Sequence, residues 1–127
     1  MERKRKEIAR LGEELAKNYL KKKKYKILAV NFRKNRGEID IVAKKKKKII
    51  FFEVKTIVKR MNGFFPEKKV NLKKKKSLLR TGKLYLLDHN LSLNTPYQFD
   101  IISVEISPDF KKAKLLHFKN VFPDDAF

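Results

Sequence analysis

The spacing of apolar positions divides the chain before any single residue is weighed. Ile8, Leu11, Leu15, Ala16 and Tyr19 recur with the period of an amphipathic helix, which predicts helix over residues 7–22. The lysines at 21–24 place positive charge in its last turn, where the helix dipole favours it. Residues 25–32, rich in Ile, Leu and Val, read as a strand, and Asn35-Arg36-Gly37 marks a turn. Residues 38–43 alternate polar and apolar. Beyond a loop of five lysines at 44–48, Ile49-Ile50-Phe51-Phe52 sets four large apolar side chains in a row, as in a strand covered on both faces. Connections this short predict an antiparallel meander of the three strands.

Residues 56–69, with Asn62-Gly63 and Pro66, read as irregular. Helix returns over 70–87, with Leu78, Leu79, Tyr85 and Leu86 on one face. A loop at 90–96, a strand at 97–106, the turn Ser107-Pro108-Asp109 and a short strand at 114–118 complete the chain, and no internal repeat is present. The order α-β-β-β-α-β-β predicts an α/β fold, a mixed sheet flanked by helices. A length of 127 residues predicts one domain able to bury a core unaided. No apolar run approaches the roughly 18 residues of a membrane span. The charged start Met1-Glu2-Arg3-Lys4-Arg5-Lys6-Glu7 leads into the helix without a signal peptide's apolar stretch. The expected location is cytoplasmic, with no membrane partner.

Composition narrows the chemistry. There are 34 Lys+Arg against 14 Asp+Glu, a net charge of +20. Such a charge on a small body favours polyanions, nucleic acid before membrane, although AT-rich coding enriches lysine by itself. The absence of cysteine excludes disulfides, thiolate nucleophiles and Cys-based zinc sites. His89 and His117 stand too far apart in sequence to suggest a zinc cage. A bound metal is therefore expected on oxygen ligands, as Mg²⁺ or Mn²⁺.

Two acidic groups contradict their apolar surroundings. In Gly37-Glu38-Ile39-Asp40, alternation places Glu38 and Asp40 on one face and Ile39 and Ile41 on the other. In Phe52-Glu53-Val54-Lys55, Glu53 and Lys55 share a face and Val54 points the opposite way. Antiparallel pairing about position 46 sets Asp40 opposite about Phe52, with Glu53 beside it. Neighbouring carboxylates repel unless a cation lies between them. Mg²⁺ held by Asp40, Glu53 and a backbone carbonyl resolves the conflict, and Lys55 then projects beside it. Metal and lysine together suit phosphodiester hydrolysis. On residues alone, an ordinary Glu53–Lys55 ion pair and a turn acid at Asp40 account for the pattern about as well.

The spacing Asp40…Glu53-Val54-Lys55 resembles the PD-(D/E)xK nuclease superfamily, whose restriction-endonuclease-like core runs α-β-β-β-α-β. More narrowly, the chain resembles the YraN family of bacterial proteins, described as endonuclease-like. The matching blocks are Gly12-Glu13-Glu14-Leu15-Ala16 with Tyr19-Leu20, Asn31-Phe32-Arg33 with Gly37-Glu38-Ile39-Asp40, and Phe52-Glu53-Val54-Lys55-Thr56. Val70 with Lys74, Tyr85-Leu86, Phe99-Asp100 and His117…Asn120-Val121-Phe122 continue the match.

The resemblance implies Asp40 and Glu53, with Glu13 of the first helix, as metal ligands, and Lys55 as the catalytic lysine acting beside Asp40 and Glu53. It implies a nucleic-acid substrate, DNA and branched or repair intermediates in particular, and a homodimer by analogy with resolvases of similar fold. Lys74 heads the packed row of its helix and either snorkels or reaches a phosphate. Arg33 and Arg36 are further candidate phosphate contacts. Asp100 is expected as a strand-end hydrogen-bond acceptor, and both histidines as structural or surface residues. Ile57 and Gln98 stand where the family usually carries arginines, and the Gly63–Pro66 stretch carries one extra residue. These departures favour an alternative, a nucleic-acid-binding protein that keeps the nuclease fold without turnover.

Overall fold

The computed structural model of the chain describes residues 2–58 and 71–123, the side chains of residues 2 and 3 excepted. Helix α1 (Glu2–Lys22) begins ahead of the apolar stripe, because its charged N-terminal residues are themselves good helix formers. Lys24 then takes a left-handed φ of 72°. The chain reverses, and Tyr25 N–H donates to Leu20 O at 2.9 Å. Strands β1 (Lys26–Lys34), β2 (Gly37–Lys45) and β3 (Lys48–Val58) follow as the expected meander. Strand β3 runs on through residues 56–58, which the sequence reads as irregular. The rest of that stretch, with Asn62-Gly63 and Pro66, lies outside the described residues, as does Val70.

Helix α2 (Leu72–Asp88) is capped by Asn71, whose side chain accepts from Lys74 N–H at 2.8 Å. Strands β4 (Tyr97–Ile106) and β5 (Ala113–Phe118) complete a five-stranded sheet in the order β1-β2-β3-β4-β5. Only β3 and β4 pair in parallel; the other neighbours are antiparallel. A parallel pair needs a long crossover, and the segment carrying α2 supplies it. The fold is the mixed α/β arrangement expected, an α-β-β-β-α-β core of restriction-endonuclease type with β5 added at one edge.

Apolar residues from the two faces of the sheet build two cores. Ala16 and Leu20 of α1 pack on Ile41, Ala43, Ile50, Phe52, Ile102 and Val104. Leu78, Tyr85 and Leu86 of α2 pack on Ile39, Val42, Ile49, Phe51 and Phe99. The unbroken run at 49–52 is thereby explained, its side chains passing alternately into either core. Of the five lysines at 44–48, Lys44 and Lys45 end β2 and Lys48 opens β3. The turn itself is Lys46-Lys47, closed by the Lys45–Lys48 pair. No helix among the described residues is long and apolar enough to cross a membrane.

Gly12 sets how closely α1 lies on the sheet. A Cβ there would stand 1.8 Å from Thr56 Oγ1 of β3. Gly12→Ala is expected to push the helix off the strand and to destabilise the protein by about 3 kcal/mol, read as a lowered urea midpoint at unchanged slope.

Candidate functional site

Both strands that frame the acidic cluster change face at one level. Ile39 belongs to the core under α2, whereas Ile41 packs under α1. The alternation expected to keep these two residues together therefore fails at Asp40. On the neighbouring strand, Asn31 lies between the pairs Val30–Ile41 and Phe32–Ile39 and has a left-handed φ of 50°. Asparagine is among the few residues that adopt this conformation readily.

The β2–β3 ladder also ends here. Its last pair is Ile41–Phe52, one residue away from the register expected. Continuing it would set Asp40 against Glu53. Instead Val54 N–H donates to Asp40 Oδ2 at 2.7 Å, so a side-chain carboxyl takes the place of a strand carbonyl. The strands part, and the Asp40 and Glu53 carboxyls meet in the gap through a hydrogen bond.

This surrounding changes the acidity of the cluster. Burial, followed by the hydrogen bond and negative charge of Glu53, pushes the Asp40 carboxyl up to about 8. The Val54 N–H opposes that rise, and the charge of Glu13 adds to it. Glu13, on α1, is itself raised, chiefly by burial; a hydrogen bond from the Asn31 side chain opposes the rise. Asn31 is thus the residue that both turns β1 and holds Glu13.

The other candidate residues are placed as follows. Lys55 lies two residues beyond Glu53 on β3, half-buried, in register with Ser103. Lys74, exposed in the first turn of α2, brings its Nζ to 3.3 Å from Glu53 Oε2. Arg33 is ion-paired with Glu38. Arg36 is exposed in the β1–β2 turn at φ 68°. A cleft of about 620 Å³ opens between α1 and β1, with Arg10, Glu13, Lys17, Asn31, Arg33 and Glu38 along its walls.

Asp40 and Glu53 thus meet where β2 and β3 part, with Glu13 close enough to act on Asp40 and Lys55 two residues farther along β3. Arg36 lies outside this group. Among the described residues, no three His, Asp or Glu side chains close around one point as a finished ligand cage. The chemistry of the pair nevertheless suits Mg²⁺, which usually takes one or two carboxylates and keeps several waters. A carboxyl that burial, and then a second carboxyl against it, keep protonated near neutral pH has a place for a cation instead.

A second polar cluster went unread in the sequence. Asp100, 1% exposed, accepts from Gln98 Nε2 at 2.8 Å, from Asn120 N–H at 2.8 Å and from His117 Nε2 at 2.7 Å. Its role as an acceptor at the start of a strand is as expected, but its main partner is not. His117 is buried, with Nδ1 2.8 Å from the Tyr19 hydroxyl. A carboxylate can only accept, so Nε2–H donates to Asp100, while Nδ1 and the Tyr19 hydroxyl share the second hydrogen bond. His89 instead stacks on Tyr85, ring centroids 4.0 Å apart. Residues 98 apart in sequence leave no spacing signal for such a relay. The relay ties α1 to β5 across the sheet, and it touches neither Asp40 nor Glu53 directly. Asp100→Ala strands three donors and is expected to cost about 3–5 kcal/mol, measured by denaturant unfolding.

Comparison with known sequences gives the same answer over most of the chain. The sequence model of the uncharacterised protein family UPF0102 matches residues 12–104, which contain Glu13, Asp40, Glu53, Lys55 and Lys74. A UPF0102 protein of Alkaliphilus oremlandii is 41% identical over 120 residues, 92% of this chain and 98% of its own. A second, from Clostridioides difficile, is 39% identical over 117 residues, 92% and 97% of the two chains. A third, from Caldanaerobacter subterraneus, is 36% identical over 119 residues, 93% and 96%. The chain belongs to family UPF0102, the YraN family that its motifs resemble.

Proposed function

We propose that the chain is a divalent-metal-dependent phosphodiester hydrolase acting on nucleic acid, with DNA, including branched or repair intermediates, as its expected substrate. The observation that supports this reading best is the Asp40–Glu53 carboxyl pair at the parting of β2 and β3, with Lys55 two residues beyond. Asp40 and Glu53 would hold Mg²⁺ or Mn²⁺, and Glu13 would take an outer position, through water. A cation bound there supplies a Lewis acid for a phosphoryl oxygen and lowers the pKa of a coordinated water. The chain's own residues do the rest. Val54 N–H fixes Asp40 through Oδ2, and its contact with the Glu53 carboxyl marks where a cation would enter. Lys55 brings an ammonium to the non-bridging oxygens, where negative charge grows as water adds to phosphorus and the ester oxygen departs. Lys74, already against Glu53, sits at the N-terminal end of α2, the end whose dipole favours a phosphate.

A second reading, nucleic-acid binding without turnover, is favoured by that same Lys74 contact. The ammonium offsets the Glu53 charge from within the chain, so a divalent ion would have to compete with it. Gln98, at a position where the family resemblance leads to an expected arginine, is also engaged by Lys48 and Asp100. A cleavage panel separates the two: single-stranded, duplex, flap and four-way-junction substrates with Mg²⁺ or Mn²⁺, and Lys55→Ala as control. The hydrolase reading expects cleavage of at least one substrate by the wild type and at least about a hundredfold slower cleavage by the variant. Salt-dependent binding with no cleavage under either ion overturns it in favour of the second reading.

A further inference from the structure

The sheet has a second polar concavity at the end away from the carboxylates. It measures about 500 Å³ and is lined by Lys45, Lys46, Lys47, Lys48 and Lys119 over a base of Tyr25, Ile50 and Gln98, with no acidic side chain among the described residues of its walls. We infer that this lysine cleft is a separate anchoring site for nucleic-acid phosphates, holding the strand whose scissile bond lies at Asp40, Glu53 and Lys55. The inference rests on the reading of the chain as a nucleic-acid-directed protein and adds where the strand is gripped.

Three features set the cleft apart from a merely solvated lysine run. First, its walls are tied in place. Lys48 Nζ donates to Gln98 Oε1 at 3.0 Å, and Gln98 in turn donates to the buried Asp100. Lys45 Nζ lies 4.5 Å above the centre of the Tyr25 ring. Second, the two-residue turn at its lip puts Lys46 in a left-handed conformation, φ 56°. Glycine or asparagine would relax that position, so the turn holds a charged side chain where geometry favours none. Third, Lys119 reaches the same cleft from beyond the end of β5. Five ammonium groups converging from two distant parts of the chain repel one another, and a chain of phosphates offsets that repulsion.

The placement also matches a substrate. Tyr25 and Ile50 belong to the core on the α1 side of the sheet, with Glu13, whereas Glu53 alternates to the α2 side, where Lys74 meets it. A strand gripped in the cleft would reach the carboxylates through the parting of β2 and β3. Five residues of β3 separate Lys48 from Glu53, about 17 Å at the rise of a strand. Successive phosphates on one strand of a duplex advance about 3.4 Å each. A nucleic-acid strand passing from cleft to carboxylates would therefore place at least about five phosphates between grip and scissile bond. Exposed lysines at 21–24 end α1 and form the turn that leads into Tyr25.

The test compares two triple variants of the full chain that remove equal charge. Lys46, Lys47 and Lys119 are changed to Gln in one, and Lys111, Lys112 and Lys114, on and before β5, in the other. Duplex DNA binding is measured without divalent ions over a range of salt, so that the carboxylate site takes no part. The cleft variant is expected to bind at least about tenfold more weakly, with a log–log salt slope shallower by about 2. The β5 variant is expected to shift far less in both. Equal losses in the two variants, or none in the cleft variant, overturn the inference. So does displacement of duplex from the wild type by tripolyphosphate with no matching loss of duplex affinity in the cleft variant, which would assign the cleft to free polyphosphate. Cleavage is scored separately. A cleft-specific loss with no turnover under any ion defeats the hydrolase reading alone, whereas turnover with unaltered binding defeats the anchoring site alone.

Discussion

Lys55→Ala is expected to lower metal-dependent cleavage by about 10²–10³-fold, with nucleic-acid affinity little changed. The magnitude is that of removing one charged or hydrogen-bonding group aimed at developing negative charge. The ground-state phosphodiester carries one negative charge spread over two oxygens. The pentavalent transition state concentrates more, and an ammonium two residues beyond Glu53 gains most at that moment. Removal should therefore fall on turnover rather than on binding. Single-turnover cleavage of pre-bound substrate measures this directly. Lys55→Arg keeps the charge but replaces a compact ammonium with a broad planar group, and it should retain only part of the rate. A Lys55→Ala rate within a few-fold of wild type would remove the lysine from the reaction.

Asp40→Asn is expected to raise the stability of the metal-free protein at high pH while abolishing cleavage. Folding raises the Asp40 carboxyl from 3.8 to about 8, so the native state favours its protonated form. The native state then binds more protons than the unfolded chain between those values, and stability falls as pH rises through this window. It is fully present below about 4 and lost towards about 8. Asparagine escapes the loss because it never ionises. Its amide can donate to Glu53 as the proton does, while its carbonyl still accepts from Val54 N–H. Each pKa unit is worth about 1.4 kcal/mol, so a shift of only one or two units already amounts to several degrees in melting temperature. Thermal unfolding near about pH 5 should show the two proteins alike, and near about pH 9 the variant should melt higher. Magnesium should close that gap by stabilising the wild type alone, since cation and proton compete for the same oxygens. A variant that melts lower than wild type at alkaline pH without metal would contradict this account of the cluster.

The elements with a clean period were legible in the sequence. The stripe of α1, the four apolar residues ahead of Glu53 and the short turns led to the right element order and to a mixed sheet. What the sequence missed follows from features that period alone does not carry. Ile39 and Ile41 were expected on one face because alternation assumes an unbroken strand; the left-handed Asn31 across from Asp40 breaks it. The β2–β3 register was one residue off because Lys44, Lys45 and Lys48 are strand residues, leaving a turn of two rather than five. Polarity suggested a loop there, but backbone pairing is indifferent to charge. His117 was unreadable for a different reason: its partners are Asp100 and Tyr19, on other elements, and only the closed fold brings them together.

The hydrogen bond from Val54 N–H to Asp40 Oδ2 has a consequence for observation. Most amides in a sheet face a carbonyl whose charge never changes. This one faces a carboxyl that can be protonated, ionised or coordinated. The Val54 amide resonance should therefore move with each of those events while its neighbours in β3 stay still. One backbone nucleus, with no label attached to the site, can report separately on protons and on metal at the carboxylates, even in variants that no longer turn over.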